Sequence, residues 1–257
     1  MPPPGTGTPI TATIPIMTIP DTPEVAAPSR HAALLPLLWL SSPALPVGAF
    51  SYSEGLEAAV ESGIVASEPD AREWLRCQIH LTLARSDLPA SCAAHAAWVR
   101  GDAAELRSIQ AWVLATRESA ELRLQTGQMG RSMLAWVRQL HPRHPALAVA
   151  REAGEDEFSW PLAFALAAHA MGLDAMHAGY GLAFSWLESQ VQAALRGVPL
   201  GQAAGQRLLH ALLPEIPAAV AHALRIAPDR DAWQSFSPML AILSARHETQ
   251  YSRLFRS

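Results

Sequence analysis

The chain has 257 residues, with 19 basic and 23 acidic side chains, and every basic residue is an arginine. Without lysine there is no Walker A phosphate loop, no Schiff-base amine for pyridoxal or aldolase chemistry, and no kinase phosphate lysine. A formal charge of -4 leaves no electrostatic footprint for nucleic acid.

Residues 1–30 carry eight of the 21 prolines and six threonines, with no apolar periodicity. The first basic residue is Arg30, so the basic start and unbroken apolar core of a secretory signal are missing. This stretch reads as a disordered leader, and residues 31–257 as one domain. In that domain alanine and leucine lead, while strand-forming aromatic and β-branched residues are sparse.

The helices follow in order. Ala33–Leu40 is short and apolar. Ser51 and Glu54 have capping-box spacing, and their helix runs to Glu61 and stops at Gly63. Ser67 caps a helix carrying Trp74, Leu75, Ile79 and Leu83. Leu88–Val99 ends at Gly101, and Asp102 caps a helix with Leu106, Ile109 and Val113 on one stripe. From Arg117 to Gln139, Leu122, Met129, Met133, Trp136 and Leu140 share one face at helical spacing. Pro142 and Pro145 break the chain. Further helices are expected over Trp160–Met171, Asp174–Leu195, Leu200–Leu213, Ala218–Ile226 and Ser237–His247. Between Pro161 and Leu187 Asp174 is the only charge, yet Gly172-Leu173-Asp174 reads as a helix stop and a new cap. Two buried helices explain the run better than a membrane span. The expected fold is an all-α, bundle-like domain of about ten helices.

Enzyme motifs are incomplete. His247-Glu248 begins a zinc-protease helix, but Tyr251 stands where the second histidine belongs. Gly179-Tyr180-Gly181 begins a dinucleotide fingerprint and then meets Phe184. Ser53 is one glycine short of a nucleophile elbow. Cys77 and Cys92 form no CxxC pair, which argues for a reduced compartment. His169, Asp174 and His177 could meet around a metal across a turn, or each could be a separately hydrogen-bonded side chain.

Two regions are distinctive. Leu45–Glu57 places Phe50 and Tyr52 among prolines, glycines and a cap. It can be a contact surface, or a hydrophobic staple that fixes the entry to a helix. On the long helix, Arg123, Gly127, Gly130 and Arg131 fall within about one quadrant. Helix-interior glycine costs roughly 1 kcal/mol against alanine, so another backbone is expected to approach there. That backbone can belong to this chain or to a partner.

At these residues the chain resembles the UreF family of urease accessory proteins. The likeness lies in Leu45–Glu57, Thr116-Arg117-Glu118, Gln128-Met129-Gly130-Arg131-Ser132, His169-Ala170-Met171-Gly172, Gly179-Tyr180-Gly181 and the tail Tyr251–Ser257. It runs from about Leu34 to the end. The resemblance implies a non-enzymatic, cytoplasmic, all-α homodimer with no membrane span and no tightly bound cofactor. It implies a scaffold bridging UreD (also called UreH) and the GTPase UreG in the complex that inserts nickel into the urease apoprotein. Two other roles stay open, a regulator of UreG hydrolysis and a nickel-binding chaperone. The residues carried over as partner-binding are Gly48, Phe50, Tyr52, Glu54, Glu118, Arg131 and Arg253. Among them Tyr52 is expected as an aromatic support and Arg253 as the charged anchor of a coupled loop and tail.

Overall fold

The most apolar stretch of the sequence becomes the middle of the fold. In the computed structural model, which describes residues 32–154 and 157–257, Pro161–Ala168 are all buried. A helix that is apolar on every side must be surrounded by protein or lipid. Here other helices surround it, and among the described residues none is long and apolar enough to cross a membrane.

Twelve α-helices and no strand occur among the described residues. They are α1 (Leu34–Leu40), α2 (Leu56–Glu61), α3 (Glu68–Gln78), α4 (Asp87–Arg100), α5 (Ala103–Ala115) and α6 (Ala120–Leu140), then α7 (Ala146–Glu152), α8 (Trp160–Ala170), α9 (Ala175–Gly197), α10 (Gln202–Leu212), α11 (Glu215–Ile226) and α12 (Pro238–His247). The fold is all-α, as expected, and α7 is the one helix absent from the segments read in the sequence. Residues Ala33–Ser257 form one compact unit. The expectation of a disordered leader concerns residues outside those described.

α8 packs against α4 and α6, and α9 packs against α4, α10 and α11. The Trp98 indole N–H on α4 donates to the Leu162 carbonyl at 3.0 Å, and its ring meets Phe158 edge-on at 5.2 Å. Gly130 is where α6 approaches closest. A Cβ built there would lie 1.7 Å from the Phe158 carbonyl oxygen. The expected backbone approach is therefore internal to the chain. Gly127 is different, because a Cβ there would meet nothing within 4 Å.

Most caps sit where the sequence puts them. Ser67, Asp102 and Asp174 accept from the N–H groups of Asp70, Glu105 and His177. Gly101 and Gly172 adopt left-handed conformations just after α4 and α8. Four expectations need correction. Ser51 and Glu54 form no capping box: Ser51 ends a 3₁₀ turn (Ala49–Ser51), and α2 begins after Gly55 with no side-chain cap. The long helix starts at Ala120, capped by Ser119, rather than at Arg117. Leu140 leaves the buried stripe and is 41% exposed. α7 stands where a break is expected, because it follows directly on Pro142 and Pro145 and its seven residues are too few to show periodicity.

Candidate functional site

The 45–57 loop and the 250–257 tail meet and pair. Gly48 turns the chain at φ 75°, a left-handed conformation that glycine adopts without strain. The 3₁₀ turn then points Phe50 outward, 66% exposed, while Tyr52 turns inward and is buried. The tail runs beside this loop. The Arg256 N–H donates to the Ser51 carbonyl at 2.8 Å, and the Ser53 N–H donates to the Ser257 backbone oxygen at 2.8 Å. The Ser53 hydroxyl donates to that same oxygen at 2.6 Å. Leu254 and Arg256 face out, and Phe255 and Ser257 face in.

Glu57 locks the tail from inside. Its buried carboxylate accepts the backbone N–H of Leu254 at 2.7 Å and of Phe255 at 2.9 Å. It also lies 3.1 Å from Nε2 of the buried His247. Nδ1 of that ring lies 2.6 Å from Glu121, and Glu121 in turn accepts from Arg253. Arg253 is thus an anchor, and its acceptor belongs to α6.

One face of α6 holds both segments. Glu121 takes Arg253, Gln125 takes Glu54 and Ser257, and Gln128 accepts the Tyr52 hydroxyl. Spacings of four and three put these residues on one stripe. Tyr52 and Arg253 are therefore coupled through a shared helix face. This polar stripe was legible as periodicity, but it lies beside a stronger apolar one.

Glu54 is the most unusual residue of the loop. It is the one non-glycine with positive φ (50°) among the described residues. That conformation costs roughly 1–2 kcal/mol for an ordinary side chain. Its carboxylate accepts from Gln125 at 2.6 Å and from the Trp186 indole N–H at 2.8 Å. Burial pushes the carboxyl above the usual carboxylate range despite these donors. Glu54 lines a cavity of about 210 Å³ with Leu45, Val47, Phe50, Met129 and Trp186. It also lines a smaller one, about 30 Å³, with Arg117 and Glu118. Burial raises the Glu118 carboxyl as well, and its Oε1 has no partner.

The structure sorts the expected site residues into two places. Gly48, Tyr52 and Arg131 line one shallow groove with Gln128, Ser132 and Arg256. Phe50 and Arg253 belong to the same loop and tail. Glu54 and Glu118 lie beneath, on the inner cavity. Arg131 pairs with Glu157 within the chain. Arg117, the neighbour of Glu118, pairs with Asp87.

The metal trio does not assemble. Asp174 and His177 pair at the start of α9, with Nδ1 2.8 Å from the carboxylate. His169 faces elsewhere, edge-on to His144 at 5.0 Å and to His95 at 5.8 Å. Among the described residues no group of three His, Cys, Asp or Glu side chains is arranged to hold a metal. The Cys92 thiol is pushed up to about 12 by burial, which leaves it a poor nucleophile.

Nothing in the sequence marks Glu121, Gln125 or Arg196, Glu57 stands only as the end of the distinctive segment, and His247 stands out only through an incomplete zinc-protease motif. They are single polar residues inside helical patterns, and only the tertiary fold shows what they meet.

Comparison with known proteins shows the family. The UreF family model matches residues 65–213. The chain is 56% identical to the urease accessory protein UreF of Methylibium petroleiphilum, across 90% of this chain and 97% of the relative. It is 55% identical to that of Paracidovorax citrulli, across 88% and 90%. It is 51% identical to that of a Polaromonas species, across 93% and all of the relative. The family model stops short of the loop and the tail, while the relatives align with 88–93% of the chain. On a family match over more than half its length and relatives above 50% identity, the chain belongs to the UreF family.

Proposed function

We propose that this protein serves urease maturation as a non-enzymatic cytoplasmic scaffold. It bridges UreD and the GTPase UreG in the complex that delivers nickel to the urease apoprotein. Nickel is cargo of that assembly, and phosphate chemistry belongs to UreG, in keeping with a lysine-free chain.

The observation that carries this reading is the loop and tail joined into one surface. Phe50, Tyr251 and Leu254 are large, exposed and apolar, and Arg131, Arg253 and Arg256 stand among them. Exposed aromatic rings with arginines are the usual composition of an interface hot spot. A second apolar face, on α1, exposes Leu34, Leu35, Leu38 and Trp39. Contiguous apolar surface of that kind marks association, in agreement with a homodimer that also holds UreD. The loop–tail surface is assigned to UreG.

Co-expression with UreD and UreG, followed by size-exclusion chromatography, tests this. The expected result is one complex containing all three. Separate elution of this chain from both partners would refute the scaffold.

A further inference from the structure

We propose that Arg196 is a positioning residue for partner docking, because it fixes the exposed Phe50 ring relative to the tail. The inference rests on the docking role assigned above to the loop–tail surface. Arg196 lies in the last turn of α9, and three contacts define its place. Its Nη2–H donates to the backbone carbonyl of Phe50 at 2.6 Å. Its guanidinium lies over the Phe255 ring, 4.6 Å from the centroid. Its Nε–H donates to the Gln192 carbonyl at 3.3 Å, which seats the side chain against its own helix.

The geometry makes Arg196 an outer clip on two segments that α6 holds from the inside. Two turns earlier on α9, the Ser189 hydroxyl donates to the Ala49 carbonyl at 3.2 Å. Consecutive carbonyls of the 3₁₀ turn are thus tied to one rigid helix. A carbonyl held this way fixes the peptide plane beside the Phe50 Cα, and with it the direction of a ring that packs little against its own chain. Phe255 is buried, so the other end of the clip is immobile. A guanidinium suits both jobs, since it is planar, donates in a fixed fork and stacks on aromatic faces. Arg196 itself is exposed, so its removal leaves no cavity in the core.

A double-mutant cycle on the full chain tests this, with immobilised UreG binding the complex of this protein and UreD. The variants are Phe50→Ala, Arg196→Ala, Arg196→Lys and the double alanine. Phe50→Ala and Arg196→Ala should each weaken binding by about tenfold or more, as truncation at an interface hot spot does. The double variant should bind no worse than Phe50→Ala, because Arg196 acts through that ring. Arg196→Lys should recover most of the loss, while circular dichroism melts stay unchanged throughout. A merely structural arginine would give a lower melt and losses that multiply. Wild-type binding by Arg196→Ala, or losses that multiply in the double variant, overturns the proposal and leaves the docking role standing if Phe50→Ala still loses UreG. Wild-type binding by Phe50→Ala removes the docking role and the proposal together.

Discussion

Glu57 accepts the backbone N–H of Phe255 at 2.9 Å, a contact between residues 198 positions apart in the chain. The bond joins the first turn of a six-residue helix to the last residues of the chain. It makes the tail part of the loop's own structure, because the same carboxylate also takes Leu254 and faces His247.

Glu57→Ala should therefore release the tail. Two backbone donors lose their acceptor and His247 loses one of its carboxylates, a change of about 3 kcal/mol for a broken buried network. Glu57→Gln keeps one acceptor oxygen and should cost less. Urea midpoints measure the order, and limited proteolysis after Arg253 measures release. Equal midpoints for wild type and Glu57→Ala would show that the carboxylate does not hold the tail.

The two glycines on one face of α6 should respond in opposite directions. Gly130→Ala pushes a methyl group into the Phe158 carbonyl and should destabilise by about 2 kcal/mol or more through overpacking. Gly127→Ala meets open space and should stabilise by about 1 kcal/mol from helix propensity. Thermal melts of the two variants separate these effects. A stable Gly130→Ala would mean that α6 and α8 do not approach as described.

The imidazole cluster gives a pH dependence of definite sign. Burial depresses His144 and His169 below the ordinary value of 6.5; His141 also opposes a proton on His144, and His144 and His95 oppose one on His169. Between the folded and unfolded values the unfolded chain binds more protons. The cluster's contribution is therefore whole above about pH 6.5 and is lost as pH falls through the depressed folded values. Glu54 and Glu118 act in the opposite sense. Their raised values mean that the folded chain holds protons longer, so their contribution falls as pH rises above the unfolded value of 4.5. His169→Gln should flatten the loss of stability between about pH 7 and pH 5 in urea titrations. An unchanged slope would remove the cluster from the account.

Much of this fold was legible because local signals agreed with one another. Ser67, Asp102 and Asp174 cap as read, and Gly101 and Gly172 stop their helices. The central burial of α8 follows from a run without a polar face. The Ser51–Glu54 expectation failed for a physical reason. Glu54 has a long-range use, accepting from Gln125 and Trp186, and those bonds hold its backbone in a left-handed conformation that a helix cannot contain. The site was half legible. Gly48, Phe50, Tyr52 and Arg253 stand out as residue types in an irregular segment. Glu57, Gln125, Gln128 and Arg196 do not, since each looks like an ordinary polar residue on a helix. Their roles depend on contacts more than 50 residues away in the chain.

Loop and tail are proposed above to act as one docking surface for UreG. Size-exclusion chromatography of the co-expressed three-protein complex tests it most directly, with wild type, Phe50→Ala and Arg253→Ala compared. Both variants should keep UreD and lose UreG from the shared peak, with helical content unchanged. Full co-elution of UreG with both variants would contradict the claim.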